Sequence, residues 1–575
     1  MSAETRLRVV LCWHMHQPQY RDLIGGEYRL PWTYLHAIKD YVDMAAHLEA
    51  TPHARAVVNF APLVLEQIDD YARQVDGFLN NGLAIRDPLL AALAAAALPS
   101  DADSRLHLVK ASLRANRQRI IERFPAFRRL AEMGDWLVAH PGAIGYVSDQ
   151  FLADIVTWYH LGWLAENVRR QDTRVQQLMT KNEGFTLHER RQLLEIVSGL
   201  LSGVIGRYRR LAESGRIELS VTPYAHPIIP LLLDFGVARE AIPDVRLPLL
   251  DRYPGGDERA RWHIEQAISV FQEHFGFRPS GCWPAEGGVS AATLELLASA
   301  GFRWTASGEG VLRNSLSRSE AAPQAGAAAN GAQPPSSCLH RSYQLAANPI
   351  RCFFRDDGLS DLIGFTYSDW AADDAVANLV HHLENIAAAC SPESGAVASI
   401  IMDGENAWEH YPENGFYFLS ALYERLSAHP QFELTTFSAC LDAAPVILPV
   451  LTAGSWVYGT FSTWIGHSEK NRGWDMLGDA KRAFDAAVSA GRLSGELLQV
   501  AERQLAVCEG SDWFWWFGDD NPAETVTDFD SMYRMHLANL YQRIGEEPPQ
   551  YLSQAFTRGG GTPVHGGVMR PGRQT

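Results

Sequence analysis

Two acidic residues stand where acid–base chemistry could be done. Glu286 lies in Gly281-Cys282-Trp283-Pro284-Ala285-Glu286-Gly287-Gly288, between a short apolar run and a helical one. Asp403 closes the apolar run Val397–Met402 and opens Asp403-Gly404-Glu405-Asn406-Ala407-Trp408-Glu409. Strand side chains alternate, so Asp403 and Glu405 share a face and project together. A single loop carboxylate is ordinarily just solvated, and an Asp at a strand end ordinarily caps the next helix. Two carboxylates and an amide directly after a buried strand are costly unless used or well paired. A carboxylate pair across a cleft is the equipment of a glycosidase, one group as acid/base and the other as nucleophile or base.

Other polar groups gather at strand ends. His14 and His16 alternate on the first apolar run, with Gln17 and Pro18 after them. A His-x-His pair is a familiar metal-ligand spacing, but no third ligand stands at a defined distance, so no metal and no cofactor is expected. Neutral imidazoles donating to sugar hydroxyls are the other use. Glu218 lies on Ile217–Thr222, which runs into Pro223-Tyr224-Ala225-His226-Pro227. A buried Glu218 needs a partner, and a sugar hydroxyl is one. Trp283 offers a face for a sugar ring, and Trp408 is placed with it as a substrate contact. Trp456–Trp474 interleaves aromatic residues, Trp464 among them, with His467 and other polar groups, a pattern that suits a polysaccharide groove. Asp512–Phe517 is read instead as core or interdomain packing.

These residues need elements to hold them. Arg8–His16, Ala54–Phe60, Ile217–Thr222, Ser280–Trp283, Phe302–Ala306 and Val397–Met402 read as strands, several of them continuously apolar as in a parallel sheet covered on both faces. Helical periods separate them, notably Leu187–Glu213, Arg259–Phe275 and Ala291–Ala300. Strands alternating with helices give an α/β fold, a β/α barrel whose carboxyl-terminal rim gathers the catalytic side chains. Residues 1–413 are expected to form that catalytic barrel, with a helical insertion over about 62–213. The run Asn314–Ser337, rich in Ala, Ser, Gly, Pro and Gln, is expected to be a mobile insertion (314–337). Residues 414–556 read as a mainly helical C-terminal domain, and 557–575 as a disordered tail.

Composition narrows the partners. A formal charge of −17 over 575 residues repels a phosphate backbone and excludes nucleic acid as an expected partner. Seven cysteines without paired spacing argue against a disulfide framework and favour a reducing compartment. No run is long enough to span a bilayer and no signal-type segment opens the sequence, so the expectation is a cytoplasmic protein without membrane contact.

Taken together, the strand-end segments resemble glycoside hydrolase family 57. The resemblance rests on His14-Met15-His16-Gln17-Pro18, Gly215–Leu219 running into Tyr224-Ala225-His226-Pro227, Trp283-Pro284-Ala285-Glu286, Asp403-Gly404-Glu405-Asn406 and Thr463-Trp464-Ile465-Gly466, in that order. It implies an incomplete seven-stranded β/α barrel with a helical C-terminal domain. It also implies a retaining α-1,4 or α-1,6 glucan hydrolase or glucanotransferase, with Glu286 as nucleophile and Asp403 as acid/base. His14, His16, Glu218, His226, Glu405 and Trp464 are then substrate-subsite groups. The Asp-Gly-Glu-Asn and Trp-Ile-Gly forms look nearest the α-amylase and amylopullulanase type. Two rival readings remain: a metal-dependent carbohydrate deacetylase using His14 and His16, and a catalytically silent glucan-binding protein.

Overall fold

The computed structural model describes residues 6–321, 339–390 and 395–561. Its centre is one sheet of ten strands: β1 (Leu7–Met15), β2 (Ala56–Phe60), β3 (Ile217–Val221), β4 (Gly281–Cys282), β5 (Trp304–Gly308), β6 (Tyr343–Leu345), β7 (Arg351–Arg355), β8 (Val397–Asp403), β9 (Phe432–Thr435) and β10 (Val446–Leu448). The order β8-β1-β2-β3-β4-β5-β7 is parallel throughout. β7 and β8 share no ladder, yet the Asp356 amide donates to the Ser399 carbonyl at 2.8 Å and the Arg355 side chain to that of Ile401 at 2.8 Å. The result is a seven-stranded β/α barrel with one seam closed by isolated bonds.

Alternation along the strands fills this barrel in layers. Val10, Cys12, Val57, Trp283, Trp304, Ala306, Phe353, Val397, Ile401 and Phe437 form a continuous apolar plug. Trp304 can lie inside only because position 281 is glycine: a Cβ there would sit 1.8 Å from the indole. Two residues further along the strands the inward positions turn polar. His14 is in register with Asn59 on β2 and Asp403 on β8, and Asn59 with Ser220 on β3. The polar layer thus rests on a dry floor.

Helices pack outside. Between β2 and β3 they run from Pro62–Asn81 to Leu187–Glu213, as expected of the insertion. The latter starts on a capping box, Glu189 amide to Thr186 hydroxyl at 3.3 Å and Thr186 amide to Glu189 carboxylate at 2.8 Å. Three boundaries differ from expectation. Helix Glu309–Ala321 runs into the segment read as a mobile insertion, because Ser315 is buried there, donating to the Val311 carbonyl at 2.7 Å and accepting from the Thr452 amide at 2.8 Å. The rest of that insertion, 322–337, lies outside the described residues. Residues after 414 are not all helical: β9 pairs with β1 and β10 with β6 before the helices Ser468–Ser489, Gly495–Cys508, Ser511–Trp516 and Ala523–Arg543. The tail begins ordered, with Thr557 buried and donating to Glu469 at 2.6 Å, while 562–575 lie outside the described residues.

Glu509 fixes these helices to the barrel. It accepts from Arg259 at 2.8 Å and Tyr253 at 2.6 Å, and lies 2.8 Å from His263 Nε2, all three on or just before helix Gly256–Phe275. Burial raises its pKa, but the Arg259 charge and the His263 bond outweigh that and hold the carboxyl at about 2. Six described cysteines are free thiols, five of them buried. No helix among the described residues is long and apolar enough to cross a membrane.

Candidate active site

A cavity of about 440 Å³ opens over the carboxyl ends of the barrel strands. Glu286 and Asp403 both line it, as do His14, His16, Gln17, His226 and Glu405. Seven of the sequence-selected residues therefore meet in one place.

Glu286 sits on the turn Ala285–Gly287 with φ 57° and ψ 25°, a left-handed backbone that costs a non-glycine residue roughly 1 kcal/mol or more. The loop around Trp456 holds it there. The Trp456 amide donates to the Glu286 carbonyl at 3.0 Å and its indole N–H to Glu286 Oε2 at 2.9 Å. This loop can approach because position 308 is glycine, where a Cβ would lie 2.5 Å from Trp456 Cα. On its other side Glu286 Oε1 is 3.4 Å from the Ser511 hydroxyl. Burial first, then the charge of Asp403, push Glu286 up to about 8.

Asp403 ends β8 and accepts from Asn406 at 2.9 Å. Burial raises its pKa, opposed by Asn406, His16 and Arg355. Arg355 is buried inside the barrel, bonded to Asp357 and Asp361 at 2.8 Å each and lying 5.4 Å from the Trp456 ring centre. Glu405 accepts from Gln17 at 3.0 Å through one oxygen, while the other is buried without a partner. Burial and then Asp403 raise Glu405 well above the carboxylate range. The cavity thus concentrates acids that cannot all ionise together. A raised Asp403 is what the sequence leads one to expect, whereas the upward shift of Glu286 opposes the ionised form expected of a nucleophile.

The histidines form a packed layer. His14 Nδ1 is 2.7 Å from Asn59 Oδ1 and its Nε2 is 3.0 Å from His226 Nε2. His226, itself left-handed at φ 59°, has Nδ1 2.8 Å from Ser511 Oγ, and its carbonyl accepts the Ser511 amide at 2.8 Å. His16 stacks on His226 at 3.8 Å and pairs with Asp512 at 2.8 Å. Burial and then His16 lower His14 to about 3, and burial, then His16 and His14, lower His226 well below its ordinary value. Burial therefore favours the neutral form of both rings.

His16, His226 and Asp512 are close enough together to suggest a metal site. Their geometry does not suit one. The His16 and His226 rings lie 13° from parallel, so their in-plane lone pairs point alongside one another instead of converging on an ion. Both nitrogens of His226 are also engaged with His14 and Ser511.

Five sequence-selected residues do not line the cavity. Glu218 lies low in the barrel, half-buried and accepting from Trp304 at 2.6 Å and the Ser438 amide at 2.9 Å, so its carboxylate is met by protein groups. Trp283 is buried behind Trp456, edge-on at 5.4 Å. Trp408 is core, donating to the Gly404 carbonyl at 2.9 Å. Trp464 is buried behind Trp515, 5.8 Å away. His467 caps helix Ser468–Ser489, accepting from the Glu469 amide at 3.3 Å. Conversely, Asp512, Trp515 and Trp516 line the cavity, although that run read as packing, whereas Trp513, Phe514 and Phe517 are core as read. Arg355, Trp456 and Ser511 were not selected as site residues. Trp456 stood in the aromatic run, while a lone Arg or Ser carries no sequence signal.

Trp32, Trp163, Phe365, Trp515 and Trp516 complete the walls, aromatic faces suited to the C–H faces of sugar rings. Comparison with known proteins agrees with this architecture. A GH57 branching enzyme from Thermococcus kodakaraensis, crystallised with glucose, has a TM-score of 0.56 at 14% identity, covering 93% of this chain and 90% of that one. A GH57-type branching enzyme from Pyrococcus horikoshii gives 0.54 at 15%, covering 95% and 98%. The α-amylase AmyC from Thermotoga maritima gives 0.53 at 12%, covering 94% of each chain. At such identities the likeness is one of fold. The sequence profile of glycosyl hydrolase family 57 matches residues 10–445, and the chain belongs to that family.

Proposed function

We propose that the chain is a retaining enzyme of α-glucans, with Glu286 as nucleophile and Asp403 as acid/base. The observation that carries this is two half-buried carboxylates lining one aromatic-walled cavity, each raised by partial burial and Glu286 further by Asp403. In the first half-reaction Glu286 attacks the anomeric carbon, the glycosidic C–O bond breaks, and the Asp403 proton passes to the leaving oxygen. In the second, water or a sugar hydroxyl attacks the glycosyl ester and returns its proton to Asp403. Arg355 and Trp456 are placed to stabilise the ionised states of Asp403 and Glu286.

The α-linked substrate follows from family membership and from what the related proteins act on. Hydrolysis and transfer share the ester and differ in which hydroxyl resolves it. Incubation with maltoheptaose, read by mass, separates them: shorter products alone mean hydrolysis, and longer ones mean transfer. No turnover of any α-glucan would overturn the proposal.

A further inference from the structure

Asn59, His14, His226, Ser511 and Glu286 form a single file of contacts at 2.7, 3.0, 2.8 and 3.4 Å. Each imidazole has one hydrogen to give along the line and one lone pair to receive it, and the Ser511 hydroxyl has one hydrogen and two lone pairs. A neutral imidazole donates through one nitrogen and accepts through the other, a hydroxyl holds one proton, and a carboxamide can present either end. The direction of the His14–His226 bond therefore dictates the bonds on either side of the two rings.

If Glu286 is ionised, Ser511 donates to it, His226 Nδ1–H donates to Ser511, and His14 Nε2–H donates to His226. Asn59 then turns its amide N–H groups toward His14 and the Thr222 hydroxyl. The surroundings accept this, because Thr222 can pass its hydrogen to the Trp283 carbonyl at 2.8 Å and Ser220 its own to the Asn59 carbonyl. If Glu286 is protonated, every bond reverses: Glu286 donates to Ser511, Ser511 to His226 Nδ1, His226 Nε2–H to His14, and His14 Nδ1–H to the Asn59 carbonyl. Asn59 then donates to Ser220 at 3.0 Å. Either direction satisfies all members. A mixture leaves two hydrogens or two lone pairs facing each other in a dry interior, which is costly.

We propose that Ser511 is a positioning residue for Glu286, and that the file from Asn59 to Ser511 switches direction as Glu286 gains or loses its proton. The role given to Glu286 rests on the function proposed above. Burial favours the neutral form of both rings, so a directional file is available. The groups facing Glu286 are Asp403 from β8, Asp512 and Ser511 from the C-terminal helix, His226 after β3 and Trp456, with Arg355 beyond the indole. Among the described residues, Ser511 is the group hydrogen-bonded to both Glu286 and His226. Its own backbone also holds the left-handed His226, so placement of the hydroxyl is shared between barrel and C-terminal segment.

The test has two arms. Nitrogen-15 spectra of histidine-labelled protein, recorded across pH, report the tautomers of His14 and His226 without any turnover. Both should exchange protonated nitrogens at the pH where the Glu286 carboxyl titrates, and Glu286→Gln should abolish that step. Tautomers that hold constant through the titration overturn the switch, whatever Glu286 does in catalysis. The second arm is the pH profile of kcat/KM on an activated aryl α-maltooligoside. Ser511→Ala should move the acidic limb upward by about half a pH unit or more, and Ser511→Thr should restore it. A Ser511→Ala profile superimposed on the parent, or an equal shift in Ser511→Thr, overturns the positioning role.

Discussion

Trp456 grips Glu286 at both ends, its amide on the backbone carbonyl at 3.0 Å and its indole on the carboxylate at 2.9 Å. The first bond keeps the left-handed turn and the second favours the anion. Trp456→Phe should preserve the first and lose the second. A hydrogen bond to a charged group is worth about 1.5–3 kcal/mol, so kcat/KM should fall on the order of 10- to 100-fold. Steady-state kinetics with a thermal unfolding control would check it. Unchanged kcat/KM would remove the indole from the mechanism.

Glu286 and Asp403 should be distinguishable by azide. Glu286→Ala should be almost inactive, with azide restoring turnover of an activated α-glucoside to an azide product of inverted configuration. Asp403→Ala should still form the ester from a good leaving group and give a product of retained configuration. Swapped stereochemistry would exchange the two roles.

Acidity at Glu286 sets a pH dependence. With its carboxyl pushed up to about 8, kcat/KM should rise with pH through an acidic limb far above the ordinary carboxylate range. Asp403→Asn removes a like charge and should lower the Glu286 pKa, followed directly by carboxyl carbon-13 shifts. The same shift bears on stability. A carboxyl raised on folding destabilises the fold once it ionises, a cost that grows from about pH 4.5 to pH 8. Glu286→Gln should therefore be more stable than the parent at pH 8.5, by on the order of a few kcal/mol, and no more stable at pH 4. Equal denaturant midpoints at pH 8.5 would contradict the burial argument.

Glu509 has the opposite sign. Its carboxyl is held at about 2, so it stabilises the fold above its ordinary pKa of 4.5 and loses that contribution as pH falls toward 2. Glu509→Gln strands a buried Arg259 and should cost about 3–5 kcal/mol at pH 7. The penalty should shrink as the solution is acidified. Urea titrations at pH 7 and pH 3 would compare the two.

Dialysis against a strong chelator should leave activity intact, since both nitrogens of His226 are engaged in hydrogen bonds and its ring stacks on His16. Loss of activity that zinc restores would revive the deacetylase reading.

The barrel was legible because its strands are apolar runs, and a parallel strand covered on both faces imposes that composition on its sequence. Strand-end residues His14, His226, Glu286 and Asp403 were legible for the same reason: each follows such a run. Glu218 misled because position on a strand matters as much as strand identity. It sits nearer the start of β3, where Trp304 and Ser438 close the barrel floor, not at the rim. Trp283, Trp408 and Trp464 misled because an indole beside a motif can equally well support the motif from behind. Ser511 and Asp512 could not be found at all, since their meaning depends on a helix from the far end of the chain landing on the histidine layer.

That landing makes the site a late event in the life of each molecule. Along the chain, His14 precedes the Ser511–Asp512 pair that completes its surroundings by almost five hundred residues. At synthesis rates of about 5–20 residues per second, the barrel strands are out well before their cover. A nascent chain can thus hold most of the barrel strands with an uncovered histidine layer, and the later stretch around Ser511 covers it.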